Sequence, residues 1–308
     1  MLNKDQLRGV WVSVPTEWDA AGNFDEKTFR DSTVMLIDAG VHGVYTTGST
    51  GEYYALDWDE YTHMVDAFAA ETVGKIGMQV GASWFNTRDV IQRVRYARDK
   101  GIEAVQVCFP FWMEMRQEDY DQFFVDIYKA VPDIAIIHYN VYRTKKVFGG
   151  QDYARILSRV PTLIGSKAGM SLSDFMYLTI FSPQMNHFTG ESTLAAGMLL
   201  GAQGMYTSYA LVNPKLMLDY YTLCATGRWE QAVAIARRLA YWETVAFEPL
   251  VEKGYWDPTI DKALTELGGW LPGNRRTRKP HSPLSDADMA ELRATTERVL
   301  PEILGYRA

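Results

Sequence analysis

Lys167 is the residue in this sequence whose surroundings best suit covalent chemistry. It follows the apolar run Leu163–Ser166, which is typical of a buried strand. An apolar interior lowers the pKa of an ammonium group, and a neutral lysine can attack a ketone to form a Schiff base. The alternative is a lysine just beyond a strand end with its amine in solvent, and this residue alone does not decide between the two.

Tyr139 favours the chemical interpretation of Lys167. It closes the preceding predicted strand, so its hydroxyl could reach an adduct on Lys167 and transfer protons while water or an aldehyde leaves. The alternative is a core tyrosine whose hydroxyl bonds to the backbone. We expect His138 to point to the opposite face of the strand and to pack against a helix, because side chains alternate along a strand.

The segment Gly-Ser-Thr-Gly-Glu offers two hydroxyls and several backbone N–H groups on a tight loop. Such a loop can bind a carboxylate without a cation. The candidate carboxylate-binding residues are Gly48, Ser49, Thr50 and Gly51. The alternative is an ordinary turn in which glycine supplies positive φ, with Glu52 as a first-turn carboxylate of the next helix.

These candidates stand at the ends of short apolar segments that alternate with segments of helical period. The predicted strands are Gly9–Val14, Gly43–Thr47, Met78–Ala82, Ala104–Phe109, Ile134–Tyr139, Leu163–Lys167, His187–Thr189 and Gly204–Ser208. Strand–helix alternation implies parallel strands, and eight such units favour an α/β fold of the closed (β/α)8 TIM barrel type. Catalytic groups of such barrels lie at the carboxyl ends of the strands. An open doubly wound sheet is the alternative, because periodicity does not show closure.

The pattern becomes mostly helical after Ser208. The later helix candidates are Pro214–Thr226, Trp229–Ala246, Pro258–Leu267 and Ser285–Leu300. We predict a barrel over residues 1–226 and a C-terminal helical extension over residues 227–308, packed on the barrel. The basic run that begins at Arg275 is predicted to be a solvated loop, with an anionic-ligand role as the alternative.

Composition excludes several other classes of protein. With 308 residues, 47% of them hydrophobic, the chain can bury one large core, and a net charge of −7 argues against a nucleic-acid partner. Cys108 and Cys224 form no Cys-x-x-Cys pair, which fits buried thiols in a reducing cytoplasm. There is no signal-peptide core and no run of about 20 apolar residues, so we expect a soluble protein.

Other catalytic chemistries lack the motifs that they need. The histidines are scattered without metal-ligand spacing, so no metal is predicted. The sequence has no Gly-x-Ser-x-Gly elbow and no P-loop, and Gly-x-Gly-x-x-Gly does not follow the first strand. A nucleotide cofactor is therefore not expected.

Four motifs in order resemble the dihydrodipicolinate synthase / N-acetylneuraminate lyase family of class I pyruvate aldolases, over the whole chain. The matching segments are Gly48–Glu52, Tyr139, Gly165-Ser166-Lys167 and Gly201-Ala202-Gln203-Gly204. The resemblance implies a Schiff base between Lys167 and a 2-oxo acid such as pyruvate, with no other cofactor. It also implies Tyr139 as general acid/base, a carboxylate held by Ser49 and Thr50, an aldehyde as second substrate, and a homotetramer.

Two departures argue against the lysine-biosynthetic synthase of that family. The synthase carries two tyrosines after the proline that follows strand four, one of which serves a proton relay across a subunit interface. Phe111 and Trp112 stand there instead, which removes one reason for a tetramer and leaves a dimer open. The segment from Tyr139 to Arg143 lacks the usual proline and is one residue shorter, which leaves the role of Arg143 open.

The segment Pro110–Met113 instead resembles benzylidenepyruvate hydratase-aldolases, and an aromatic mouth suits an apolar aldehyde. Phe111 and Trp112 could equally pack a subunit interface. Further candidate substrate-binding residues are Asn140, Arg143, Gly190 and Glu191. We predict a class I aldolase or lyase of the hydratase-aldolase type that joins or separates pyruvate and an aldehyde. The alternatives are a synthase or sugar-acid dehydratase, and a non-catalytic 2-oxo-acid-binding protein.

Overall fold

A closed barrel of eight parallel strands forms the centre of the computed structural model, which describes residues 1–307. The strands are β1 (Gly9–Ser13), β2 (Gly43–Thr46), β3 (Gly77–Gly81), β4 (Ala104–Val107), β5 (Ala135–Asn140), β6 (Leu163–Ala168), β7 (Asn186–Thr189) and β8 (Gly204–Thr207). Each strand pairs with the next along the chain, and β8 pairs with β1. The predicted (β/α)8 barrel is thereby confirmed, and the open sheet is excluded.

Twelve α-helices accompany the strands in the described chain. They are α1 (Glu26–Asp38), α2 (Trp58–Thr72), α3 (Thr87–Asp99), α4 (Gln117–Ala130), α5 (Gly150–Ile156), α6 (Leu172–Phe181), α7 (Leu194–Leu199), α8 (Pro214–Ala225), α9 (Trp229–Trp242), α10 (Glu248–Glu252), α11 (Asp257–Gly268) and α12 (Asp286–Val299). Side chains encode several helix starts. Asp25 accepts from the N–H of Thr28 before α1, and Asp57 and Glu60 form a capping box at α2.

Alternation along the strands divides the apolar side chains between two packed regions. Residues such as Tyr45 and Ile137 face the barrel interior, whereas their neighbours Val44 and Ile136 face the surrounding helices. His138 also faces outward, and its Nδ1 lies 2.7 Å from the hydroxyl of Tyr153 on α5. The prediction that His138 packs against a helix is confirmed.

The helices that follow β8 differ from the predicted set in one place. The single helix expected to run from Trp229 to Ala246 ends at Trp242, continues as a π-helical turn over Glu243–Phe247, and leads into α10. Helix α11 begins after Trp256, contains a proline in its first turn and is capped at its C-terminus by Gly269, whose φ of 65° lies in the left-handed region. Of these helices, α11 lies at the carboxyl ends of the strands, where Asp257 and Asp261 line the same cavity as Lys167.

The basic run that begins at Arg275 is not the solvated loop that was predicted. The guanidinium of Arg278 stacks on the ring of Trp18 at 3.9 Å and donates to the carboxylate of Glu60 at 2.6 Å. Arg275 donates to Glu266 at 2.9 Å. A flat guanidinium can cover an indole face while its N–H groups meet carboxylates, so this run binds the C-terminal segment to the barrel.

Both cysteines are buried free thiols, as predicted for Cys108 and Cys224. Within residues 1–307, no helix combines the length and apolar character needed to cross a membrane.

Candidate active site

A cavity of about 320 Å³ opens at the carboxyl ends of the strands. Of the predicted site residues, its wall contains Tyr139, Lys167, Thr50, Arg143, Gly190 and Glu191. It also contains Tyr45, Thr189, Tyr206, Ser208, Asp257 and Asp261, which the sequence analysis does not single out. The topology of the barrel therefore brings residues from five strand ends and from α11 to one place.

The register of two neighbouring strands brings Lys167 and Tyr139 together. They are direct partners in the parallel pairing of β5 with β6, so their side chains point to the same face. The Lys167 Nζ atom lies 4.7 Å from the ring centroid of Tyr139 and 3.4 Å from the hydroxyl of Tyr45. His138 and Ser166, the partners one residue earlier, face the other way.

The electrostatic surroundings of Lys167 differ from the prediction. Burial by itself lowers the pKa of Lys167, but the neighbouring Tyr45 and Tyr139 and the carboxylate of Asp257 outweigh it, and the net pKa is raised. The Nζ atom also lies 5.6 Å from the ring centroid of Tyr206, so aromatic faces surround the cation. The lowered pKa expected from the sequence is therefore wrong, and this lysine must lose a proton before it can attack a carbonyl carbon.

The loop after β2 has a backbone that is tightly constrained. Thr47 and Glu52 adopt positive φ values of 53° and 47°, a region that residues other than glycine rarely enter. A Cβ atom at Gly51 would lie 2.5 Å from the backbone nitrogen of Thr47, so only glycine fits there. Strained backbone of this kind is concentrated at ligand-binding loops.

The side chains of this loop connect it to both walls of the cavity. Ser49 Oγ donates to the hydroxyl oxygen of Tyr139 at 3.4 Å. Thr50 is buried, and its Oγ1 donates to Asp261 Oδ2 at 2.5 Å. The loop therefore contacts the predicted proton-transfer residue on one side and a carboxyl group of α11 on the other.

Glu52 is neither a ligand in the cavity nor a first-turn residue of α2. Its Oε1 lies 2.6 Å from the Nζ atom of Lys262 on α11, and both side chains are fully buried. The indole N–H of Trp18 and the backbone N–H of Arg278 each donate to Glu52 at 2.8 Å. Burial lowers the pKa of Lys262, and Glu52 acts against that effect. This buried pair joins α11 to the loop after β2.

Helix α11 contributes two carboxyl groups to the cavity. Asp257 and Asp261 are four residues apart, so they share one face of the helix. Asp257 accepts two hydrogen bonds from Arg143, at 2.6 and 2.9 Å. Burial acts to raise the pKa of Asp257, but the Arg143 pair outweighs it and the pKa is lowered. Burial and the charge of Asp257 raise the pKa of Asp261 to about 7.

Six predicted residues lie outside the wall of the Lys167 cavity, namely Gly48, Ser49, Gly51, Phe111, Trp112 and Asn140. Ser49 lines the two adjoining cavities instead. The Asn140 side chain is buried and bonds both ways to the backbone of Phe148, at 2.8 and 2.9 Å. Trp112 is 76% exposed on the loop after β4 and is not part of the Lys167 cavity wall. Phe111 lines an adjoining cavity of about 190 Å³ that also contains Tyr139. The predicted aromatic mouth is therefore not formed by Trp112.

A different set of aromatic residues surrounds a second cavity of about 440 Å³ next to the first. Its aromatic wall consists of Tyr53, Tyr54, Tyr142, Trp256 and His281. Tyr142 and Trp256 are 63% and 44% exposed, which is unusual for side chains of this size. The Arg143–Asp257 pair belongs to the walls of both cavities and therefore stands between them.

Residues 6–299 match the model of the dihydrodipicolinate synthetase family. The chain belongs to this family. It is therefore an aldolase-type lyase, and the resemblance inferred from its motifs is confirmed. Within residues 1–307, no group of three or more His, Cys, Asp or Glu side chains is arranged to hold a metal ion.

Two curated members of the family are similar over almost the whole chain. A 4-hydroxy-tetrahydrodipicolinate synthase of Methanosphaerula palustris is 27% identical over 292 residues, which cover 93% of this chain and 95% of the relative. A trans-O-hydroxybenzylidenepyruvate hydratase-aldolase of Sphingobium xenophagum is 25% identical over 294 residues, which cover 88% of this chain and 87% of the relative. Family membership therefore establishes the class of enzyme and leaves the substrate to the geometry of the site.

Solved structures of family members share the fold. The structure of YagE, a prophage protein of the family from E. coli K12 in complex with pyruvate, superposes with a TM-score of 0.86. The two chains are 19% identical, and the match covers 95% of this chain and 98% of YagE.

Proposed function

We propose that the protein is a class I pyruvate aldolase in which Lys167 forms the Schiff base and Tyr139 is the general acid and base. The observation that carries the proposal is the direct pairing of Tyr139 with Lys167 across β5 and β6 in the wall of one cavity. Ser49 and Thr50, together with the N–H groups of their loop, bind the substrate carboxylate beside it. The pyruvate complex of YagE supports a 2-oxo acid as the substrate.

The reaction follows from these positions. The Lys167 amine attacks the keto carbon of the substrate, and the carbinolamine loses water to give an iminium. Tyr139 removes the proton of the 4-hydroxyl group, the bond between C3 and C4 breaks, and the electron pair passes to the iminium to form an enamine. The aldehyde leaves, and protonation and hydrolysis of the enamine release pyruvate. An unsaturated substrate first takes up water across its double bond.

The second cavity accounts for the aldehyde portion of the substrate. The cavity lined by Tyr53, Tyr54, Tyr142 and Trp256 offers aromatic side chains to an aryl group on the aldehyde carbon. This arrangement replaces the mouth predicted from Phe111 and Trp112. It is consistent with the activity named for the Sphingobium xenophagum relative, a hydratase-aldolase acting on a benzylidenepyruvate.

Borohydride reduction in the presence of pyruvate tests the mechanism. We expect peptide mass mapping to find the reduced pyruvate adduct on Lys167, and Lys167→Ala to abolish it. Lys262 is a matched control because it is also buried but is paired with Glu52. The mechanism is refuted if Lys167 stays unmodified at saturating pyruvate.

Product analysis with pyruvate and a panel of aldehydes tests the substrate class. We expect aldol products with aromatic aldehydes, and at least a roughly tenfold loss of kcat/KM for them in Trp256→Ala, with little change for small aliphatic aldehydes. Trp112→Ala is the matched control and should leave both unchanged. A larger effect of Trp112→Ala contradicts the assigned aryl cavity. Dehydration products alone would favour the sugar-acid dehydratase, and pyruvate binding without any turnover would favour the binding protein.

The predicted homo-oligomer is supported by apolar side chains on one exposed helix. Helix α6 exposes large hydrophobic residues to solvent, namely Leu172, Met176, Tyr177, Ile180 and Phe181. Such a surface is typical of a subunit interface. We expect sedimentation velocity to show a dimer or tetramer, and Ile180→Glu to dissociate it in part. A wild-type monomer at micromolar concentration would exclude this part of the proposal.

A cytoplasmic location of the protein stays a prediction.

A further inference from the structure

Asp261 places a carboxyl group beside the loop that is proposed to bind the substrate carboxylate. Its Oδ2 accepts the hydroxyl hydrogen of the buried Thr50 at 2.5 Å. Asp261 also lies in the wall of the cavity that contains Lys167. Thr50 has a single hydroxyl hydrogen, and it is already donated to the Asp261 carboxyl group. An anionic substrate bound at this loop would need the same hydrogen.

The charged and titratable groups around Asp261 come from several elements. Asp257 lies on the same helix, Lys167 ends β6 and Tyr45 lies on β2. Tyr209 and Glu191 follow β8 and β7 and line a small cavity together with Asp261.

The geometry shows which of the two α11 carboxyl groups is the anion. Asp257 accepts both hydrogen bonds of the Arg143 fork, whereas Asp261 has no cation as a direct partner among the described residues.

A second anion cannot be bound beside an ionised Asp261 without repulsion. A substrate carboxylate at the loop would lie close to the Asp261 oxygens, and both anions would need the same Thr50 donor. The neutral acid removes this conflict. A protonated Asp261 competes less for the Thr50 hydrogen, which can then be donated to the substrate carboxylate, and the O–H of Asp261 can donate to the same carboxylate. The pKa of about 7 at Asp261 makes protonation easy at neutral pH.

We propose that Asp261 is a substrate-binding residue that takes up a proton as the 2-oxo acid enters and then donates a hydrogen bond to its carboxylate. The proposal rests on the proposed function of Lys167. One proton from solvent is bound per carboxylate. Reaction of the Lys167 ammonium with the ketone gives an iminium and water without any change in bound protons, so the uptake belongs to Asp261.

Pyruvate binding measured at two pH values tests this role. We expect the Kd of the wild-type protein for pyruvate to rise about tenfold between pH 6 and pH 8, because Asp261, with its pKa of about 7, is mostly ionised at pH 8. Titration calorimetry in two buffers of different ionisation enthalpy should detect uptake of about one proton per pyruvate at pH 8. Absence of proton uptake in the wild-type protein overturns the proposal.

The variant Asp261→Asn keeps the shape of the side chain and a hydrogen-bond donor but cannot ionise. We expect its Kd for pyruvate to be nearly independent of pH, so that it binds pyruvate more tightly than the wild-type protein at pH 8. A loss of folding cannot produce tighter binding. Asp257→Asn is the matched control, because removal of that charge lowers the pKa of Asp261 and moves the weakening of binding to lower pH.

The outcomes separate this proposal from the proposed function. If borohydride traps no pyruvate on Lys167 at either pH, the Schiff-base mechanism is refuted together with the role of Asp261. If the adduct forms in both proteins and Asp261→Asn keeps the pH dependence of the wild-type protein, only the role of Asp261 is refuted.

Discussion

Replacement of Lys262 by methionine tests how α11 is held at the active site. The Nζ atom of Lys262 lies 2.6 Å from Glu52 Oε1, and both side chains are fully buried. Glu17 is also buried and interacts with the same cation. Lys262→Met keeps the length of the side chain and leaves two buried carboxyl groups without their cation.

The expected loss of stability follows from what remains around Glu52. Removal of one partner of a buried ion pair costs about 3–5 kcal/mol, because the other charge stays buried. Glu52 keeps two N–H donors at 2.8 Å, from Trp18 and Arg278, which offset part of this cost. We therefore expect Lys262→Met to lower the free energy of unfolding by about 3 kcal/mol at pH 7.5. The double variant with Glu52→Gln should lose less than the sum of the two single variants.

The loss should also depend on pH. Lys262 acts to lower the pKa of Glu17, so its removal makes protonation of that carboxyl easier. A protonated carboxyl no longer needs a cation, and the destabilisation by Lys262→Met should therefore be smaller at pH 5.5 than at pH 7.5.

Urea unfolding followed by circular dichroism measures the loss of unfolding free energy and its dependence on pH. We also expect Lys262→Met to lower kcat/KM, because α11 carries Asp257 and Asp261. Lys253→Met is the matched control. It removes a lysine that pairs with Asp288 at 2.5 Å, but its side chain is 53% exposed, so a much smaller cost than that of Lys262→Met is expected. If Lys262→Met costs no more than this control, the buried pair does not hold α11.

Three further substitutions test other parts of the structure. Burial raises the pKa of Glu17 from 4.5 to about 7. The folded protein therefore favours the protonated carboxyl group, and the stability that Glu17 contributes is fully present below pH 4.5 and is lost as the pH rises through 7. In thermal unfolding at pH 8, the free energy of unfolding of Glu17→Gln should be higher than that of the wild-type protein by up to about 3 kcal/mol. The same difference between the two proteins at pH 4 would contradict this reasoning. Tyr139→Phe should lower kcat about 10²- to 10⁴-fold while borohydride still traps pyruvate on Lys167, and a loss below tenfold would exclude Tyr139 as the acid/base. A Cβ atom at Gly81 would lie 2.0 Å from the carbonyl oxygen of Thr47, so Gly81→Ala should cost about 1–3 kcal/mol and raise KM for pyruvate. An unchanged urea midpoint would show that the loop can move aside.

The barrel could be predicted because its signals are local. Strand–helix alternation is encoded in short stretches of sequence, and the bounds of the predicted strands differ from the observed ones by at most two residues. The fold also made part of the site predictable. In a closed parallel barrel all carboxyl ends of the strands meet on one side, so Lys167, Tyr139 and the loop that carries Thr50 had to converge.

The contribution of α11 could not be predicted in the same way. The i, i+4 spacing of Asp257 and Asp261 was visible in the sequence, but no local pattern states where a helix docks. Its position depends on Lys262 meeting Glu52, a residue 210 positions earlier in the chain, and on the Arg278 contact with Trp18. Such contacts depend on how distant segments pack.

The sequence by itself determined the alternation of strands and helices and placed Tyr139 and Lys167 at the ends of two successive strands, because hydrophobic period is a property of neighbouring residues. Closure of the barrel and the register that pairs Tyr139 with Lys167 were decided by the tertiary structure. Only the tertiary structure decided the charge state of that lysine and the shape of its surroundings. A pKa depends on every charge and phenol nearby, and here Tyr45 and Asp257 outweigh burial. The aromatic cavity is formed by Trp256 and not by Trp112, because the packing of distant segments decides which side chains meet.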